Sequence, residues 1–130
     1  MTRLIAFDVD STLLRVESLD TALEAALAGR EDRGAAKARL HEITRAGMSG
    51  SMALRDSLEA RLKLAALDRE QVRVVGEQLR QRLTPGMAPL IRKLRDRGDV
   101  LHAISGGFAD LLEPVLTDLG FGQGDIHANR

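Results

Sequence analysis

The sequence predicts an α/β protein whose parallel sheet is interrupted after its first strand by a bundle of helices. Three observations carry this. A short apolar run, "LIAFDVD", opens the chain and ends in acids; residues 17–83 then keep helical spacing; from residue 84 helix and strand signals alternate.

Residues 3–7 are too short and too apolar for an amphipathic helix and predict a buried strand. Leu19, Leu23 and Leu27 then recur every fourth residue until Gly29, and Leu40 and Ile43 continue the pattern until Gly47. Ser51 is a candidate cap for a third helix with Leu54, Leu58, Leu62 and Ala65 inward. Asp68 with Gln71 predicts a capping box for a fourth, carrying Val72, Val75, Leu79 and Leu83. Thr84-Pro85 predicts a helix start, with Met87, Leu90, Ile91 and Leu94 on one face and Gly98 as the stop. Val100–Ile104 is the second expected strand, followed by Ser105-Gly106-Gly107, a helix over 109–119 and a third strand over 125–128. Right-handed crossovers join such strands in parallel. The expected organisation is a core of residues 1–14 and 84–130, with residues 15–83 as a helical cap.

Composition narrows the function. Lys+Arg and Asp+Glu both number 19, so nothing draws the chain to nucleic acid or anionic lipid, and three phenylalanines are the only aromatics available to stack on bases. No apolar run is long enough to span a bilayer, and Arg3 is followed by too brief an apolar stretch for a secretion signal, so a cytoplasmic protein is expected. There is no cysteine, which excludes disulfides and thiolate chemistry. His41, His102 and His127 match no zinc spacing.

Asp8 and Ser105 both fall at carboxyl ends of expected strands, where open parallel sheets bind ligands. Two carboxylates leaving one strand end repel unless a cation sits between them, and Mg²⁺ takes oxygen ligands and shares them with phosphate. A carboxylate beside phosphate can also attack phosphorus. "DVDST" alone fits a helix cap or a solvated loop equally well. A calcium loop does not fit, because Leu13 stands where glycine is needed and Leu19 where glutamate is needed. "SGG" alone is a turn; between strand and helix, its N–H groups and the Ser105 hydroxyl suit phosphoryl oxygens.

Together, "FDVDST" and "ISGG" resemble the first two motifs of the haloacid dehalogenase superfamily of phosphohydrolases. "FDVDSTLLRVESLD", "TRAGMSGSMALRDSLEARL", "LTPGM" and "HAISGGF", in this order, are similar to its phosphoserine phosphatase family from about residue 4 to residue 130. The resemblance implies an incomplete Rossmann-like sheet with an inserted cap and Mg²⁺-dependent hydrolysis of L-phosphoserine to serine and phosphate. By resemblance, Asp8 is the nucleophile that becomes phosphorylated, and Asp10 the acid that protonates the departing oxygen and then activates water. Asp8 through its carboxylate and Asp10 through its main-chain carbonyl would ligate Mg²⁺. Ser105 and Gly106 match phosphate-binding positions, and Gly107 shapes the same turn. Glu17 matches the residue receiving the substrate ammonium, Arg61 the one pairing with its carboxylate, and Met48 an apolar residue over the substrate. Glu17 as a first-turn helix acid and Arg61 as a solvated helix charge are the structural alternatives. Leu54 stands where the family usually has phenylalanine.

The family continues into a lysine and a later G-D-G-x-x-D segment, for which residues 1–130 hold no candidate; Lys93 comes too early. The chain is therefore expected to be an N-terminal fragment, impaired in catalysis, whose first strand is left as an open edge inviting self-association. A non-catalytic binding module is the alternative from another class, and a phosphotransferase using the same aspartyl-phosphate a lesser one.

Overall fold

The computed structural model describes residues 2–130. They fall into two compact units, Met1–Leu19 with Val72–Arg130, and Asp20–Gln71.

The first unit holds a parallel sheet of three strands in the order β1-β2-β3: β1 Leu4–Asp8, β2 Val100–Phe108 and β3 Ile126–Asn129. Leu4 pairs with Val100 and Asp8 with Ile104, so paired residues share a face. Leu101, Ala103 and Ile126 are buried on one face. Helix α6, Ala109–Asp118, packs on β2 and β3 and buries Leu111, Leu112, Val115 and Leu116. The other face stays open: Leu4 is 70% exposed, Ile104 50% and Val100 44%. Helix α5, Met87–Asp96, buries Ile91 and leaves Leu90 outside. The 15–83 cap expected from spacing is divided differently by the packing. Residues 72–83 join the sheet-bearing unit because Leu79 and Val75 are buried and Gly76 abuts the Leu111 carbonyl, which a Cβ would meet at 3.3 Å.

The second unit contains most of α1, Ser18–Leu27, then α2, Arg33–Ser49, and α3, Leu54–Ala65; α4, Arg69–Gln78, begins in it. The Asp68–Gln71 capping box forms as expected: Gln71 N–H donates to Asp68 Oδ1 at 2.7 Å and Asp68 N–H to Gln71 Oε1 at 2.9 Å.

Several local expectations are corrected. Gly47 does not end α2; the helix runs to Ser49 and closes on left-handed Gly50 (φ 83°). Gly47 is instead where α3 comes close, since a Cβ there would meet Ser57 Oγ at 2.6 Å. Ser51 does not cap α3, whose first flanking residue is Ala53; the Ser51 hydroxyl donates to the Ala46 carbonyl. Leu54 is 68% exposed rather than inward, and Leu83 lies past the last helical turn in an antiparallel bridge to Leu14. Gly86, not Thr84, flanks α5, because the Thr84 hydroxyl donates to the Thr12 carbonyl at 2.6 Å. Strand β2 runs through Ser105-Gly106-Gly107 to Phe108, so that triplet is extended strand rather than the turn before a helix.

Among the described residues no helix is long and apolar enough to cross a membrane.

Candidate active site

Strand β1 carries Asp8 to its carboxyl end, where the chain enters a wide turn over Val9–Leu13. The fully buried Val9, Leu13 and Leu14 anchor that turn, and Leu14 N–H closes it on the Val9 carbonyl at 3.0 Å. It is also clamped from outside. Thr84 N–H donates to the Leu13 carbonyl at 2.8 Å and Arg15 N–H to the Arg82 carbonyl at 2.7 Å.

Within the turn Ser11 is left-handed (φ 58°, ψ 16°), a conformation that costs a non-glycine residue on the order of 1 kcal/mol and persists where neighbours hold it. Here Ser11 N–H donates to the Val16 carbonyl, and its hydroxyl donates to Glu17 Oε1 at 2.7 Å. The bend thus positions Glu17 as well as the two acids.

Asp8 is exposed; its Oδ1 accepts from Val9 N–H at 3.0 Å, and its Oδ2 accepts only a long 3.4 Å bond from the Thr12 hydroxyl. An oxygen so lightly held is open to an electrophile. Asp10 is placed differently. Its Oδ2 accepts from the Ser18 hydroxyl at 3.1 Å, while its Oδ1 is buried without a hydrogen-bond partner. Burial pushes the Asp10 carboxyl above its usual value. The Ser18 hydroxyl and N–H pull it down, and the nearby charges of Glu17 and Asp8 add to the rise. The pair therefore separates into an exposed, lightly held carboxyl group at Asp8 and a sheltered one at Asp10 whose proton is held more tightly than usual.

The register Asp8↔Ile104 brings Ser105 and Gly106 alongside the end of β1. The Ser105 hydroxyl accepts from Gly107 N–H at 2.9 Å, and the Gly106 carbonyl accepts from Asn129 Nδ2 at 2.7 Å. Gly106 is exposed, with nothing within 4 Å of where a Cβ would stand. Gly107 is buried, and a Cβ would meet Ser18 Oγ at 3.0 Å and Ser105 Oγ at 3.1 Å. The missing side chain lets β2 approach the residue that holds Asp10.

The structure thus brings together Asp8, Asp10, Glu17, Ser105, Gly106 and Gly107. Arg61 and Met48 belong to the other unit. Arg61, on α3, keeps its side chain 16% exposed, 3.8 Å from Asp20 Oδ1; Met48, on α2, is 79% exposed. Three residues were not anticipated: Ser11, Thr12 and the fully buried Ser18, each donating a hydroxyl to one of the acids. The density of Ser and Thr around the acids is their only trace in the sequence.

As a cation site, the Asp8 carboxylate and the Asp10 main-chain carbonyl are hard oxygen donors of the kind Mg²⁺ takes. Among the described residues no three His, Cys, Asp or Glu side chains cluster as a metal cage. The donor set fits Mg²⁺, which commonly binds through one or two carboxylates, completed by water and substrate phosphate.

A family model described as haloacid dehalogenase-like hydrolase matches residues 5–128. Human phosphoserine phosphatase is 37% identical over 127 residues, covering 97% of this chain and 52% of the human one. A phosphoserine phosphohydrolase-like protein from Francisella tularensis superposes with a TM-score of 0.75 at 30% identity, over 98% of this chain and 58% of that one. A solved phospho-aspartyl intermediate analogue of phosphoserine phosphatase gives a TM-score of 0.65 at 33% identity, over 99% and 56% of the respective chains. The chain spans about half the length of the curated human relative it matches.

Proposed function

Because the chain belongs to the haloacid dehalogenase-like hydrolase family, we propose that it supplies the attacking half of a phosphoserine phosphatase site, hydrolysing L-phosphoserine through an aspartyl-phosphate on Asp8. The observation that carries this is the register Asp8↔Ile104, which sets two unlike carboxyl groups beside Ser105-Gly106 at adjoining strand ends. The names of the similar proteins support the substrate.

In this mechanism the lightly held Asp8 Oδ2 attacks phosphorus while Ser105 and the Gly106 backbone hold phosphoryl oxygens. Asp10, its carboxyl biased toward the protonated form, gives a proton to the departing serine oxygen, which is a poor leaving group as an alkoxide. The resulting Asp10 carboxylate then takes a proton from the water that opens the acyl-phosphate. Mg²⁺, held by the Asp8 carboxylate and the Asp10 carbonyl, would neutralise phosphate charge. Glu17, held by Ser11, receives the substrate ammonium. Arg61 is assigned to its carboxylate, and Met48 to its apolar cover, by family resemblance alone. The cytoplasm is the expected compartment.

The test is phosphate release from L-phosphoserine with Mg²⁺ by the chain and by Asp8→Asn. Release that vanishes in the variant supports the assignment; an unchanged rate sinks it. A second reading, a phosphoserine-binding module without turnover, is favoured by the lack, among the described residues, of three His, Cys, Asp or Glu side chains placed to hold a metal ion together. Saturable phosphoserine binding without phosphate release would select it.

We also expect self-association through β1, which among the described residues has β2 on one side and no strand on the other. Sedimentation showing a compact, cooperatively melting monomer would count against this.

A further inference from the structure

We propose that His102 and His127 form a chelating site on the open face of the sheet for a divalent transition-metal ion that takes imidazole, probed with Ni²⁺. His102 lies on β2 and His127 on β3, with His102 Nδ1 2.8 Å from His127 Nε2. Their ring centres are 5.1 Å apart and the planes are inclined by 17°. A ring nitrogen lies about 1.1 Å from its ring centre, so the gap between those two separations places both nitrogens on the line of centres. The rings therefore meet end to end, one N–H donating to the other's nitrogen, rather than face to face.

Two nitrogens so close can both turn to one ion at metal–nitrogen bonds of about 2.0–2.1 Å. Imidazole suits Ni²⁺, Cu²⁺ and Zn²⁺ alike. Binding displaces the shared proton without losing it: the donor ring changes tautomer, moving its proton to its outer nitrogen, and both facing lone pairs turn to the metal. Each ring turns about its side-chain bonds to converge on the ion. Little obstructs this, because His127 is exposed, His102 is half-buried, and the β1 neighbour of His102 is the small, exposed Ala6.

No third His, Cys, Asp or Glu joins the pair among the described residues, so water completes the shell and the ion exchanges readily. The pair lies on the same sheet face as Asp8: His102 is in register with Ala6, two residues before Asp8, and His127 with Ile104, one strand further out, placing their backbones about 8 and 10 Å from that of Asp8. Hard Mg²⁺ prefers oxygen and does not compete for imidazole.

The experiment is calorimetric titration of the chain with Ni²⁺ in excess Mg²⁺, repeated for His102→Gln, His127→Gln and His41→Gln, with circular-dichroism melts verifying folding. The expected result is one Ni²⁺ per chain, unaffected by Mg²⁺ and by His41→Gln. Outer-shell partners alone change metal affinity by about 10–100-fold, so losing either directly bound nitrogen should weaken binding about tenfold or more. Paramagnetic broadening confined to the imidazole resonances of His102 and His127 is the second readout. Absence of saturable binding, or equal binding by folded His102→Gln and His127→Gln, overturns the site. None of these measurements depends on phosphatase activity.

Discussion

Gly47→Ala is expected to destabilise the protein although alanine is the better helix former. A Cβ at position 47 would stand 2.6 Å from Ser57 Oγ and 2.7 Å from Ser57 Cβ, well inside van der Waals contact. Ser57 cannot step aside cheaply, since it is 1% exposed and its hydroxyl donates to the Ile43 carbonyl at 2.9 Å. Overpacking of this kind costs about 1–3 kcal/mol. Losing the Ser57 bond adds about 1 kcal/mol, and the helix propensity of alanine returns about 1 kcal/mol. The net loss is about 1–3 kcal/mol. With a urea dependence of about 2 kcal/mol/M, a loss near the middle of that range lowers the unfolding midpoint by roughly 1 M. The assay is equilibrium urea unfolding of the chain, Gly47→Ala, Ser57→Gly and the double variant. The steric account requires that Ser57→Gly recover stability in the Gly47→Ala background while costing stability in the wild type, a coupling above about 0.5 kcal/mol. A Gly47→Ala variant within about 0.5 kcal/mol of wild type, or additive variants, would refute it.

Two further outcomes follow from contacts in the sheet-bearing unit. The Arg3 guanidinium, bonded to the buried Asp99 through Nη2 at 3.0 Å and Nε at 3.3 Å, holds that carboxyl below its ordinary value. Stability from this pair is present above the unfolded value of about 3.9 and is lost as pH falls through the lower folded value, so Asp99→Asn should flatten the acid limb below about pH 4. Urea midpoints measured across pH check this, and curves that stay parallel contradict it. Gly107→Ala should push the Ser18 hydroxyl off Asp10 and cost about 1 kcal/mol. If Ser18→Ala and Gly107→Ala add independently in urea unfolding, the shared contact is not what Gly107 protects.

What was legible in the sequence was local. The Asp68–Gln71 capping box reads correctly because both partners lie within one turn, and the extent of β1 reads correctly because its apolar run and terminal acids are contiguous; its expected burial does not hold, since Leu4, Ala6 and Asp8 are exposed and Ile5 and Phe7 only half-buried. Gly47 was misread as a stop because its reason lies across space, in Ser57. Thr84 carries the usual signature of a cap, yet its hydroxyl is taken by the Thr12 carbonyl, 72 positions away in the chain. Leu54 fits a helical stripe that packing leaves outside. The same division holds at the site. Asp8 and Asp10 announce themselves by spacing, whereas Ser18 becomes recognisable only once its burial and its bond to Asp10 are known.

The antiparallel bridge between Leu14 and Leu83, flanked by the Arg15–Arg82 and Thr84–Leu13 backbone bonds, fastens the outgoing and returning segments side by side. Residues 16–18 and 72–83 belong with that bridge to one frame, because Val16 and Glu17 hold Ser11, Ser18 holds Asp10, and Val75, Gly76 and Leu79 pack in the sheet-bearing unit. The stretch free to vary in length or character without disturbing the turn that carries the acids is therefore Asp20–Gln71. A graft joined at Asp20 and Gln71, rather than at Leu14 and Leu83, changes one unit while leaving the turn and its acids intact.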